Sequence, residues 1–175
     1  YSFILEEGTL TVSKRSLTAT AEDKTRPFGA ANPTFTISYV GFVAGDDAGD
    51  IDTEPAISTT ADAASNVGFY PILLTDGTDN NYSLDLQNGT LNVIKADQLI
   101  MIDAICDKEA DAPSFDVIAS TTSNLSLDYA IVSGPATIAG NTISLSGTTG
   151  SVIVEVSQAG NGNFNSASAT ISFNV

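Results

Sequence analysis

Histidine and tryptophan are absent from this 175-residue chain, and cysteine occurs once, at Cys106. Without histidine there is no Ser–His or Cys–His nucleophilic pair and no histidine-ligated zinc. A single cysteine excludes an intrachain disulfide and a cysteine-based metal site. We therefore expect a protein that is not an enzyme. We expect Cys106 to be a buried or half-buried inert thiol rather than an intermolecular bridge.

Basic residues are also scarce, since six Lys and Arg stand against 21 Asp and Glu, which gives a formal net charge of −15. A field of that sign repels nucleic acid phosphates and anionic membranes. No apolar run approaches the ~18 residues that a membrane-spanning helix needs. The composition thus predicts no nucleic acid partner and no membrane insertion in this segment.

The chain does contain an internal repeat. Residues 1–14, YSFILEEGTLTVSK, recur as residues 82–95, YSLDLQNGTLNVIK, with eight of fourteen positions identical. Self-similarity at a fixed period indicates a tandem array. We predict that residues 1–14 are the final hairpin strands of a preceding repeat, that 15–96 form one complete β repeat, and that 97–175 form a second β module.

Apolar and polar residues alternate with period two along much of the chain, which is typical of half-buried strands. The chain is therefore expected to be all-β, with two tandem modules. Between two such runs stands Asn88-Gly89, a strong signal for a type I′ hairpin turn with positive φ at both positions. Other strands are predicted at 17–21, 34–39, 57–61, 68–74, 99–105, 115–119, 127–132, 142–145, 152–156 and 169–175, with a loop at 22–33.

Five carboxylates crowd nine residues after Gly45: Asp46, Asp47, Asp50, Asp52 and Glu54. Asp-rich loops supply the oxygen ligands that Ca²⁺ prefers, although the spacing does not match an EF-hand. The alternative is a solvated turn in which Asp and Asn bond their own backbone, as at the second acidic turn, 76–80. Paired carboxylates also serve glycoside hydrolysis, but that chemistry needs a cleft that raises one pKa.

Aromatic side chains allow a similar choice between packing and binding. Tyr39, Phe42, Phe69, Tyr70 and Tyr82 stand in strand-like or turn-flanking contexts, which favours core packing. A sugar-stacking platform would instead need exposed rings grouped on one face.

Five motifs of the first module are informative: LTATAEDK at 17–24, FGAANP at 28–33, GFVAGD at 41–46, SNVGFYPI at 65–72 and NGTLNV at 88–93. Through these motifs, residues 15–96 resemble the MBG-type repeats of bacterial surface proteins. Residues 97–175 are similar to a bacterial Ig-like module, through SGPATI at 133–138, GNTI at 140–143 and SQAGN at 157–161. The resemblance implies two β domains, the second a β-sandwich, from a large secreted adhesin of Bacteroidota-type bacteria, a class that serves gliding motility or biofilm formation.

Two functions follow from this interpretation. In the first, the segment is a stalk that projects a distal binding region from the bacterial surface, with neighbouring repeats as its partners. In the second, loops at the end of a sandwich bind a surface glycan or protein. A third possibility is a polymer-forming unit whose edge strands assemble with neighbours.

Overall fold

The structure is a computed structural model that describes residues 1–4 and 6–175. In these residues the fold is all-β, as predicted, with one short 3-10 turn at Ala48–Asp50. None of the described residues belongs to a helix long and apolar enough to cross a membrane. The chain divides into two compact units, the first made of 1–26, 31–62 and 68–92, the second of 27–30, 63–67 and 93–175. The predicted boundary between 96 and 97 stays a prediction.

Two sheets form the first unit. Its strands are β1 (Arg15–Ala21), β2 (Lys24–Pro27), β3 (Ile37–Val40), β4 (Ala56–Thr59), β5 (Gly68–Thr75), β6 (Tyr82–Gln87) and β7 (Gly89–Ile94). One sheet has the order β3-β1-β6 and the other β2-β7-β5-β4. Strand β1 pairs with β6 in parallel and with β3 in antiparallel orientation. The core between these sheets contains fully buried residues, among them Leu17, Ala19, Ile72, Leu91 and Val93.

The predicted hairpin at Asn88-Gly89 is wrong. Strands β6 and β7 have the predicted positions, but they belong to different sheets, so the chain crosses from one sheet to the other at Asn88. Gly89, a described residue, does not have positive φ. The Asn88 side chain instead accepts a hydrogen bond from the Leu74 backbone N–H at 2.9 Å. Periodicity locates strands but does not show which strands pair. Here the Asn88 side chain bonds the backbone of β5 instead of forming a turn between β6 and β7.

Strand β2 lies inside the predicted loop 22–33. Its polar sequence, KTRP, gave no strand signal, yet Arg26 is only 3% exposed. The Arg26 guanidinium donates to the Asn32 side-chain oxygen at 2.7 Å and also to the Asp62 carbonyl. A buried charge is stable only when it is hydrogen-bonded in this way, so specific partners, which periodicity does not show, explain the missed strand.

Residues 1–4 and 6–14 lie outside any strand, whereas the sequence predicted a hairpin there; Leu5 lies outside the described residues. The side chains of this segment are exposed. The copy of this segment at 82–95 forms β6 and β7, which pair with β1 and with β2 and β5. Those pairing positions of the first unit are therefore already occupied. No strand is therefore left for the described residues of 1–14 to pair with in the same way.

The second unit contains β8 (Ile100–Ile102), β9 (Phe115–Asp116), β10 (Ala119–Thr121), β11 (Asp128–Ser133), β12 (Ala136–Ala139), β13 (Thr142–Leu145), β14 (Ser151–Gln158) and β15 (Ala167–Asn174). These strands form sheets with the orders β10-β8, β11-β14-β15 and β12-β13-β9. Alternate residues of β14 are buried in a core with Val117, Ile143 and Phe173. The single strand predicted at 115–119 is split into β9 and β10, which join different sheets, and β12 was not predicted.

Buried polar side chains stabilise one end of the second unit. The Gln98 amide donates to the Gln158 side-chain oxygen at 2.7 Å and to the Asn165 carbonyl at 2.6 Å. The Gln98 side-chain oxygen accepts from the Thr121 hydroxyl at 3.0 Å. Because each of these buried groups has a partner, the network fixes the position of the strand ends without an unsatisfied polar atom at Gln98.

Two predictions about burial are wrong. Cys106 is exposed, because it lies in the long connection between β8 and β9 rather than on an inward-facing strand position. Phe69 is 77% exposed, because its neighbours Gly68 and Tyr70 occupy the inward-facing positions of β5. In both cases the residue type favoured burial, while the local register decided the outcome.

Candidate acidic loop site

The two acidic loops of the first unit meet at Asp79. Its carboxylate accepts the backbone N–H groups of Asn81 and Tyr82, each at 2.7 Å, and of Asp52 at 3.2 Å. Lys14 approaches from the other side and donates to the Asp79 carbonyl at 2.7 Å. Asp79 is 5% exposed. Burial by itself would raise the pKa of Asp79, but the three backbone donors and the Lys14 charge outweigh it and lower that pKa.

Asp52 completes the link between the loops. Its carboxylate accepts the Asn80 backbone N–H at 2.9 Å, so that Asp52 and Asp79 each bond the other loop. Next to them, Thr53 and Thr78 exchange two backbone hydrogen bonds of 2.9 and 3.0 Å. The carboxylate oxygens thus accept the backbone N–H groups that have no partner in the neighbouring strand beyond the Thr53–Thr78 pair.

Asp46 serves a different partner. Its carboxylate accepts the Tyr82 hydroxyl at 2.6 Å, and the same hydroxyl accepts the Val43 backbone N–H at 3.0 Å. Burial first, and then the hydrogen bond to Asp46, raise the pKa of Tyr82. Tyr82 begins β6, so this contact fixes the loop over the start of that strand.

The remaining carboxylates of the predicted cluster lie apart from this arrangement. Asp47 and Asp50 form a capping box around the 3-10 turn, because each side chain accepts a backbone N–H of the turn. Glu54 is exposed, and burial, followed by the negative charge of Glu54, raises the pKa of Tyr39. Three of the five carboxylates, Asp47, Asp50 and Asp52, therefore accept separate backbone N–H groups, and Asp46 accepts the Tyr82 hydroxyl. The five side chains are not grouped around one point.

Within residues 1–4 and 6–175, no three His, Cys, Asp or Glu side chains are grouped so that they could hold a metal ion. The geometry matches the solvated-turn interpretation of the acidic loops. The calcium hypothesis for Asp46, Asp47, Asp50, Asp52 and Glu54 stays a prediction, and calcium titration of the folded chain tests it. Asp79, the best-bonded carboxylate, was not among the predicted ligands; its signal was the Asp-Asn-Asn sequence ahead of a strand, which is typical of a side-chain turn.

An aromatic cluster packs beneath these loops. The ring centroid of Phe42 lies 5.7 Å from that of Tyr39 and 5.5 Å from that of Tyr82. The rings of Phe42 and Tyr82 pack edge to face. Core packing is confirmed for these three residues. The Tyr39 hydroxyl is buried and has no hydrogen-bond partner among the described residues. Tyr82 is buried, and the half-buried rings of Tyr39 and Phe42 pack against it, so the cluster stabilises the unit.

A cleft of about 390 Å³ opens beside the Asp46–Tyr82 contact. Its walls include Val43, Asp46 and Asn81, together with Lys14 and Arg15 at the start of β1. The Arg15 side chain is held by the Gly41 carbonyl, to which it donates at 2.7 Å. The cleft thus combines one acidic and two basic groups, each of which makes a hydrogen bond within the protein.

Residues 17–92 match the model of a known protein family, the MBG domain (YGX type). The match spans less than half of the chain and confirms the MBG part of the resemblance for the first module. No curated protein matches the chain. The Ig-like assignment of residues 97–175 stays a prediction, since the structure establishes only that this part is a multi-sheet β unit.

Proposed function

We propose that this chain is a non-enzymatic extracellular repeat segment of a large bacterial surface adhesin, in which MBG and Ig-like domains form a stalk. The observation that carries the proposal is the repeat itself. Residues 17–92 match an MBG domain, and the sequence of the last two strands of that domain recurs at residues 1–14. Repetition of one domain extends a protein and multiplies its contacts without adding chemistry.

The hydrogen bonds of the acidic side chains support a role as a stalk. Asp52 and Asp79 accept backbone N–H groups of the loops, and Asp46 accepts the Tyr82 hydroxyl, so these carboxylates stabilise the turns. The net charge of −15 suits a protein that stays dissolved outside the cell. We place the parent protein on the surface of Bacteroidota-type bacteria, where such adhesins serve gliding and biofilm formation.

Binding of a glycan or protein by loops is the alternative function. Two observations weigh against it. The aromatic rings pack against the core of the first unit, and Asp46 and Arg15 beside the cleft already have hydrogen-bond partners. We therefore assign binding to a distal part of the adhesin, and we assign spacing to this segment.

Competition distinguishes the two functions. The purified chain, added in excess to cells that carry the parent adhesin, should leave their attachment unchanged, because a spacer occupies no receptor. The matched control is the same assay with the complete adhesin as competitor, which should reduce attachment. Inhibition by this chain alone, at concentrations similar to those of the complete adhesin, would contradict the stalk assignment.

A further inference from the structure

The described residues of 1–14 expose apolar side chains whose counterparts in 82–95 are buried. Leu10 is 88% exposed and Val12 is 84% exposed, whereas their counterparts Leu91 and Val93 are 0% and 1% exposed. An apolar stripe of this kind is costly in water and marks an interaction surface. The copy at 82–95 shows which surface covers such a stripe, because the equivalent side chains are buried there by the rest of the MBG domain.

A glycine in the segment points to the same partner. An added Cβ at Gly89 would lie 2.4 Å from the Ala21 carbonyl oxygen, so β7 can approach β1 only with glycine at that position. Gly8 is its counterpart, and an added Cβ there would have nothing within 4 Å. The present surroundings of Gly8 do not require glycine, whereas packing of the kind seen at Gly89 does.

The strands that cover residues 82–95 all come from residues 15–81. Strand β6 pairs in parallel with β1, from Arg15 opposite Tyr82 to Thr20 opposite Gln87. Strand β7 lies between β2 and β5 in the other sheet. A surface that accepts both strands therefore consists of β1 on one sheet and of β2 with β5 on the other.

We propose that residues 1–14 bind as two strands to the β1, β2 and β5 equivalents of another MBG domain. One strand joins each of its sheets, in the register that β6 and β7 adopt here, with Tyr1 in the place of Tyr82 and Leu10 in the place of Leu91. The proposal rests on the proposed function, since it gives the contact by which one repeat of the stalk is completed immediately ahead of the next. In the present chain the equivalent surface is occupied by β6 and β7, so the segment stays uncovered.

The test extends the full chain with a second copy of residues 15–81, joined directly ahead of Tyr1. Hydrogen exchange of the amides at residues 9–13 is then compared with the unextended chain. We expect exchange in the extended protein to slow by on the order of a hundredfold or more, because these amides enter a sheet. Unchanged exchange would overturn the proposal and leave the stalk assignment intact, since soluble competition tests that assignment separately.

Two substitutions in the extended protein test the register. Leu10→Asp should abolish the protection, because its counterpart Leu91 is fully buried. Ile4→Asp should preserve it, because the counterpart of Ile4 is Asp85, an exposed residue of β6. Equal effects of the two substitutions would contradict the proposed register.

A graft in the unextended chain gives a second readout. Six substitutions convert residues 82–95 into the sequence of residues 1–14: Leu84→Phe, Asp85→Ile, Gln87→Glu, Asn88→Glu, Asn92→Thr and Ile94→Ser. If residues 1–14 fit an MBG domain as proposed, the grafted chain keeps the cooperative unfolding transition of the first unit. Loss of that transition would overturn the proposal even if the extended protein is insoluble.

Discussion

The backbone at Gly89 passes so close to Ala21 that an added Cβ would lie 2.4 Å from the Ala21 carbonyl oxygen and 2.9 Å from its carbonyl carbon. Gly89 is the first residue of β7, where the chain enters its second sheet. The glycine is therefore required by close packing of two backbones, and not by a turn with positive φ.

Gly89→Ala should destabilise the first unit by about 1–3 kcal/mol, because one of the two strands must move to accommodate the methyl group. The measurement is the urea midpoint of the full chain. Gly8→Ala is the matched control in the repeat copy, where nothing lies within 4 Å of the added atom, and it should leave the midpoint unchanged. Similar midpoints for both variants would mean that the approach of β7 to Ala21 is not a constraint.

The sequence located most strands correctly, since period-two patterns mark β5, β6, β7, β13, β14 and β15 within a residue or two of their observed bounds. It did not show pairing. Asn88-Gly89 resembles a hairpin turn locally, and the exchange of sheets at that point depends on β1 and β5, which are distant in sequence. The same limit applies to the acidic loops, because the Asp52 backbone N–H, 27 residues away in sequence, is brought to Asp79 by the fold.

The lowered pKa of Asp79 makes the first unit sensitive to acid. A carboxylate whose folded pKa lies below its unfolded value contributes stability above the unfolded pKa, and this contribution is lost as pH falls through the folded pKa. We expect the thermal midpoint of the native chain to fall more steeply than that of Asp79→Asn once the pH drops below about 4. Near neutral pH, Asp79→Asn should have the lower midpoint, because an amide oxygen is a weaker acceptor for the backbone N–H groups of Asn81 and Tyr82.

Asp85→Asn is the control for this acid sensitivity, since Asp85 lies on the exposed side of β6. Its pH dependence should parallel that of the native chain. If Asp79→Asn also parallels the native chain, the hydrogen bonds to Asp79 do not stabilise the folded state.

The two tyrosines of the aromatic cluster should respond oppositely to loss of the hydroxyl. Tyr39→Phe should leave the midpoint unchanged or raise it, because the buried Tyr39 hydroxyl has no partner among the described residues and its removal abolishes a desolvation penalty. Tyr82→Phe should lower the midpoint, because it removes the acceptor of the Val43 N–H and the donor to Asp46. Differential scanning calorimetry of both variants decides the matter; a loss of stability in Tyr39→Phe similar to that in Tyr82→Phe would contradict the assigned contacts.

Calcium is tested by thermal melts in millimolar CaCl₂ and in chelator. We expect equal midpoints, because Asp47 and Asp52 accept separate backbone N–H groups and Asp46 accepts the Tyr82 hydroxyl. A site that binds only the folded state would instead add about 2.7 kcal/mol at a hundred times its Kd. A clear rise of the midpoint with calcium, lost in Asp50→Asn or Asp52→Asn, would establish the metal site.

Replacement of this segment within the parent adhesin tests the stalk role most directly. Cells whose adhesin lacks the segment should attach less well under flow, because the binding region is then held closer to the surface. Insertion of an unrelated β-domain pair of the same length should restore attachment, since a spacer acts through length and not through its side chains. Attachment that stays low after the replacement, and returns only with the native segment, would contradict the account and assign binding to this chain.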